Sequence, residues 1–298
     1  MTNANTDALN APVKGTGRRR RGPFAEVIFR LSKSPLAMFG LAVILLLIFC
    51  AIFADVLAPY DFAKQDLAHN FETPSAEHWL GTDEFGRDMF LRMLWGIRYS
   101  LFMGMAGIAF STLLGGLIGA VAGYYKRLDN VLMRAMDVLL AIPSMLLATA
   151  IVAALGPGLV NVLIAISIAY VPTFARTLRA SVLTIKEQEF IEAARSVGAD
   201  NPRIIMRYIV PNSLAPLIVQ STLGVAGAIL SIAGLSFLGL GIQPPTPEWG
   251  SMLSNARTYI RDAWHITMIP GAGIMLTILA LNLVGDGLRD ALDPKLKR

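Results

Sequence analysis

The strongest constraint on this chain is a succession of apolar runs, each about long enough to cross a bilayer and almost free of charge at its centre. A hydrocarbon layer about 30 Å thick requires about 20 helical residues. Inside it, backbone polar groups must be satisfied within the protein, so helices are the natural solution. Residues 35–58, 100–125, 131–155, 159–177, 213–241 and 267–287 form such runs. Only 16% of the residues are charged, against about 25% in a soluble domain, and the mean hydropathy is +0.56. The expected fold is all-α and integral to the membrane, with six transmembrane helices.

The runs divide the chain into a tail (1–34), a first helix (35–58), an outer segment (59–98), a body of five helices (97–287) and a second tail (288–298). The first tail is polar for more than thirty residues, so no cleavable signal peptide is expected. Its four arginines, Arg18 to Arg21, suit a topology anchor or contact with anionic lipid. Residues 24–33 read as a short interfacial helix. Six spans put both termini on one side. Of the 26 Lys and Arg residues, six (Lys64, Arg87, Arg92, Arg98, Arg257 and Arg261) fall in the proposed outer segments and the other 20 on the inner side. The positive-inside rule then makes both termini cytoplasmic, and the net charge of +5 is a matter of topology, not of nucleic-acid binding.

Within the spans, Gly115, Gly119 and Gly123 recur every four residues, one face on which another helix can approach closely. Pro143 is expected to bend the third span. Pro216 with Gly224, Gly227, Gly234 and Gly239 suggests a broken or tilted fifth span. Residues 251–266 read as a short amphipathic helix with Trp264 at an interface. Asp137, near the start of the third span, is expected to pair with Arg134 or with a neighbouring helix.

The chemistry of an enzyme is absent. There is no G-x-x-x-x-G-K-[ST] phosphate loop, no H-E-x-x-H and no G-x-S-x-G. The lone Cys50 permits neither an internal disulfide nor a CxxC metal site. His78 has no second histidine at ligand spacing. An ion-coupled secondary carrier needs ionisable groups in mid-membrane, and the span centres lack them. Energy must therefore enter through a partner.

The segment 178–212, between the fourth and fifth runs, is the candidate entry point. It contains EAARSVGADNPRIIMRYIVP, residues 192–211. Glu192, Ala193, Ala194 and Arg195 form a good helix start. Gly198 can end that helix with a positive φ. Asp200 and Asn201 are capping types, and Pro202 suits the first turn of a second helix, expected to end at Pro211 and Asn212. A connection this long and this ordered usually has a function, and docking of a soluble partner fits it.

Glu192, Ala193, Ala194, Gly198 and Pro211 resemble the EAA loop of binding-protein-dependent ABC importer permeases, with Tyr208 and Val210 departing at the family's Ile and Leu positions. The outer string HWLGTDEFGRD (78–88) resembles a signature of the dipeptide, oligopeptide and nickel branch. So do AGYYKRLDNVLMRAMDVLLAIPSMLL, NSLAPLIVQ, LGLGIQPPTPEWGSML and NLVGDGLRDALDPKL. The resemblance implies a type I ABC importer permease fold, carrying dipeptides or short peptides, with nickel or another small solute as the alternative cargo. It implies a second permease subunit, two cytoplasmic ATPase subunits that bind ATP and Mg, and a periplasmic binding protein. This chain itself would hold no cofactor or metal. Glu192, Ala193, Ala194, Gly198 and Pro211 would couple to an ATPase. Gly81, Thr82, Asp83, Gly86, Arg87 and Asp88 would make periplasmic contact.

Overall fold

The computed structural model describes residues 23–59 and 61–292. The arginine run Arg18 to Arg21 and the last six residues lie outside that range. In chain order the helices are α1 (Pro23–Leu31), α2 (Pro35–Ile52), α3 (Ala54–Leu57), α4 (Met89–Tyr124), α5 (Lys126–Leu140), α6 (Ser144–Leu155), α7 (Leu159–Ile185), α8 (Glu189–Ser196), α9 (Asn201–Ile204), α10 (Val210–Phe237), α11 (Trp249–Ala256) and α12 (Trp264–Leu292). Among the described residues, five helices, α2, α4, α9–α10 as one, α7 and α12, are long and apolar enough to cross a membrane, and the bent pair α5–α6 makes a sixth if taken as one span.

The chemistry at each helix start explains its position. Ser34 caps α2 by accepting the Ala37 N–H, with Pro35 in the first turn. Asp88 caps α4 by accepting the Leu91 N–H. That cap starts α4 at Met89, well before the expected residue 100. Arg92 and Arg98 made the sequence look external there, but both are paired: Arg92 with Asp83 and Arg98 with Asp55. At 36 residues, α4 is about 54 Å long, so it projects well beyond the hydrocarbon.

Two further expectations change. Pro143 does more than bend the third span: α5 and α6 meet at 86°. α6 has 12 residues, about 18 Å, too short to cross alone. The fifth span, in contrast, is unbroken. It runs from Asn201 to Phe237, 37 residues, and takes up the second loop helix that was expected to stop at Pro211. A π-helical stretch, Ile205–Ile209, lies at the junction. The Asn212 amide donates to the Tyr208 carbonyl at 2.6 Å and the Ser213 hydroxyl to that of Ile209 at 2.8 Å, so polar side chains supply donors around the turn where Pro211 has no N–H. The glycines of this helix serve packing. A Cβ on Gly224 would meet Ile108 and Phe174, on Gly227 the Tyr170 hydroxyl, and on Gly234 the end of Met145.

The main seam is α4 against α7. A Cβ on Gly115 would lie 2.5 Å from the Val171 carbonyl oxygen, on Gly119 2.3 Å from that of Ala175, and on Gly123 2.8 Å from the Val182 Cβ. These backbones touch, as membrane helices do where no hydrophobic effect drives them together. The Ser111 hydroxyl donates across the seam to the Ser167 carbonyl at 2.9 Å. α2 lies on α12 with Gly40 against the Ala280 carbonyl. Leu45, Leu46 and Phe49 of α2 remain largely exposed, as suits a face toward lipid. The bundle has two ends: a loop end, carrying α8 and the ends of α4 and α7, and a far end, carrying residues 61–88, α11 and the start of α12.

Candidate functional site: the α8 loop

The connection at the loop end is shorter than the sequence suggested, because α7 continues to Ile185 and the next helix starts at Asn201. α8 stands alone in it. Glu189 and Glu192 occupy its first turn and Arg195 its last, which matches the helix dipole at both ends. Ile191 and Ala194 turn inward and are buried; Glu192, Ala193, Arg195 and Ser196 face outward. Gly198, at φ 83°, closes the helix. Its N–H reaches the Arg195 carbonyl, and that of Ala199 reaches the Ala194 carbonyl, at 2.9 and 3.1 Å, a Schellman-type end. Asp200 then caps α9 by accepting the Arg203 N–H at 3.3 Å.

The loop is anchored at its base. The Tyr124 hydroxyl at the end of α4 donates to the Asn201 side chain, and Lys186 donates to the Gly123 carbonyl at 3.0 Å. Arg179 of α7 holds Asp129 of α5 through two bonds of 2.5 and 2.7 Å. Asp137 pairs with Arg176 of α7 at 2.5 Å, on a neighbouring helix and not with Arg134. So the helix ends around the loop form one tied platform, and α8 projects from it.

Of the residues singled out in sequence, Glu192, Ala193, Ala194 and Gly198 come together on one helix and its turn. Pro211 does not join them; it sits in the first turn of α10. Sequence reasoning missed three apolar side chains here. Val197 is 84% exposed, Met206 68% and Phe190 43%. For Phe190 and Val197 the available signal was the phase of α8, whose apolar residues cannot all share the inward face with Ile191 and Ala194; Met206 lies in the π-helical stretch and had no such signal.

The string at the far end folds inward. Thr82, Asp83, Arg87 and Arg92 are all buried. Asp83 accepts the Arg87 guanidinium at 2.6 Å and the backbone N–H groups of Phe85 and Arg87 at 2.9 Å each, with Arg92 at 3.4 Å. Burial, then the Asp83 charge, raises the Glu84 carboxyl above its ordinary range. Asp88 caps α4 with one oxygen and meets the His78 ring at 2.8 Å with the other. Gly81 and Gly86 have φ of 74° and 67°, and a Cβ on Gly86 would lie 1.7 Å from the Asp66 carbonyl oxygen. Gly81, Thr82, Asp83, Gly86, Arg87 and Asp88 therefore hold the segment to the bundle, and most of their surface is spent inside this chain.

The described residues form a bundle of five or six candidate membrane spans with an ordered helical loop at one end. Residues 111–298 match the family described as binding-protein-dependent transport system inner membrane component, and residues 22–74 match the N-terminal TM domain of oligopeptide transport permease C. The chain is 50% identical over 276 residues to the Dipeptide transport system permease protein DppC of Alkalihalophilus pseudofirmus, covering 92% of this chain and 91% of that one. It is 46% identical to the Di/tripeptide transport system permease protein DppC of Pseudomonas aeruginosa, covering 97% of each. Among solved structures, an amino acid ABC transporter with histidines matches 66% of this chain and 92% of its own at a TM-score of 0.52 and 16% identity, which is a likeness of fold. The chain belongs to the inner-membrane permease family of binding-protein-dependent ABC importers. It is a multi-pass inner-membrane transport subunit, and such permeases work with ATPase and substrate-binding partners.

Proposed function

We propose that this chain is one of two permease subunits of an ATP-driven importer of dipeptides or short peptides, and that α8 is its contact with an ATPase. One observation carries the docking assignment. α8 presents Glu192, Ala193 and the apolar Phe190 and Val197 outward from a platform that is otherwise tied down. Ala193 permits close approach, and an apolar side chain as exposed as Val197 gains most from a partner's cover. Two ATPase subunits bind ATP and Mg and close on them. The movement enters at α8 and passes through the turn at Gly198 into the unbroken helix Asn201–Phe237. The excess of Lys and Arg in the segments read as inner supports a cytoplasmic loop end, with both termini on that side. The far end then faces the periplasm and the peptide-binding protein.

The names of the relatives support a peptide cargo. An apolar groove of about 780 Å³ between α2, α4, α10 and α12 has few polar positions, among them Thr112 and Ser221. It suits a helix of the second permease or lipid better than a charged peptide, so the peptide path belongs between the two permeases, away from this groove.

The test is copurification. The tagged chain is expressed with its adjacent reading frames and extracted in mild detergent. A second permease and two ATPase chains are expected in stable proportion, and Glu192→Lys is expected to reduce recovery of the ATPases. A chain that purifies alone and moves solute in liposomes without ATP would overturn the assignment in favour of a secondary carrier.

A further inference from the structure

One buried carboxylate at the far end is not used by anything described so far. Glu248 lies in the outer string QPPTPEWG, between α10 and α11, and is 2% exposed. Its Oε1 accepts the Gly250 N–H at 2.8 Å and the Ser100 hydroxyl at 3.4 Å. Its Oε2 accepts the Ser251 N–H at 2.7 Å and the Ser236 hydroxyl at 2.7 Å. Burial raises the carboxyl above its ordinary range, and these four donors pull it back.

The donors come from three elements. Gly250 and Ser251 are the first turn of α11. Ser236 lies one residue before the end of α10, and Ser100 lies in the outer third of α4. Both serines are buried, and the Ser100 hydroxyl also accepts the Trp249 N–H at 3.2 Å. The surrounding packing leaves no slack. A Cβ on Gly250 would lie 2.5 Å from the Ala233 Cα, and one on Gly96 2.4 Å from the Pro247 carbonyl oxygen. The Trp249 indole donates to the Met93 carbonyl of α4 at 3.2 Å, and its ring lies 3.5 Å from a Cβ built on Gly273 of α12. α11 is thus wedged among three long helices.

A helix N-terminus needs only a short acceptor; Asp, Asn, Ser or Thr serves best. Glu248 is longer than the cap requires, and the extra methylene carries its oxygens to the two serine hydroxyls. Because α9–α10 is one helix from the α8 loop to Ser236, Glu248 sits at the opposite end of the element that receives the push.

We propose that Glu248 is a positioning residue for transport, joining the outer ends of α4 and α10 to α11 so that displacement entering α10 at the cytoplasmic end moves all three together at the periplasmic end. This rests on the coupling role assigned to α8. Without the clamp, less of the displacement of α10 reaches α4 and α11, and ATP hydrolysis moves the outer mouth less effectively.

The test uses the whole importer in proteoliposomes with its binding protein and a dipeptide, and reads uptake per ATP hydrolysed. Glu248→Asp keeps the α11 cap but falls short of the serines. Ser236→Ala keeps Glu248 and removes its bond to α10. Both variants are expected to copurify with the ATPases in wild-type proportion and to hydrolyse ATP at the basal rate, while uptake per ATP falls about tenfold, the equivalent of one charge-assisted hydrogen bond. Unchanged uptake per ATP in Ser236→Ala overturns the proposal, even if Glu248→Asp fails to assemble. Failure of the α8 assignment looks different: Glu192→Lys would then leave ATPase recovery unchanged.

Discussion

At the far end of the bundle, Asp83, Arg87 and Arg92 are each 3% exposed and answer one another's charge. At the loop end, Glu192, Ala193 and Val197 stand in solvent, and only Ile191 and Ala194 hold α8 to its own chain. The far end completes its interactions within one polypeptide. The loop end leaves an ordered helix half unburied. Buried charges are expensive to leave unpaired, so the first region is built for persistence. An apolar side chain left in water gains free energy when a partner covers it, so the second is built for contact. Exposure here separates the two tasks better than charge does, because both regions are rich in charged residues.

Substitutions can break this contrast in order of expected effect. Asp83→Ala removes the carboxylate that two buried guanidinium groups share, leaving Arg87 only Glu84 at 3.3 Å and Arg92 only backbone carbonyls, and removing one partner from such a site costs about 3–5 kcal/mol. The variant is expected to show a large drop in melting temperature in detergent, or to be lost from the membrane. A stable, fully assembled Asp83→Ala would show that the far end is not held by its charges. Gly119→Val forces a side chain into the Ala175 carbonyl. Overpacking of this kind costs about 1–3 kcal/mol, read as a smaller drop in melting temperature for the purified chain. A Cβ on Gly198 would meet nothing within 4 Å, so the main cost of Gly198→Val is the left-handed backbone, about 1–2 kcal/mol. Its melting temperature is expected to move least, while recovery of the ATPases and uptake both fall. If Gly198→Val instead destabilises the chain as much as Asp83→Ala, the two ends do not differ in kind.

Much of this was legible in the sequence, and the failures share a cause. Apolar runs gave the spans, and Gly115, Gly119 and Gly123 gave the seam, because membrane length and close approach are local requirements. The start of α4 was misread because Arg92 and Arg98 look like solvent residues until Asp83 and Asp55 are brought to them. The fifth span was read as broken or tilted, and the break is absent: Pro216 and the glycines are breakers only in isolation. Their packing partners Phe174, Tyr170 and Met145 are remote in sequence. The inward turn of the 78–88 string was hidden in the same way: its charges suggest a surface, and only the fold supplies the burial. α8 was legible because its Glu192–Arg195 run and its closing Gly198 are encoded within a few residues, although the helix begins at Glu189, three residues before the expected start. Glu248 was passed over because a single acid in a proline-rich turn has an ordinary appearance, and its two serine partners lie 148 and 12 residues away.

The α4–α7 seam has a consequence for inheritance. At Gly115 and Gly119 the opposing atom is a backbone carbonyl, which cannot be trimmed by a compensating side-chain change. Every missense mutation at those codons adds at least a Cβ, so drift there has no small first step. The outward residues Phe102, Phe110 and Leu114, which do not line the groove, can exchange among apolar types. Among descendants of this gene, α4 should therefore carry a fixed stripe beside a variable one, with the boundary running down a single helix and set by contact alone.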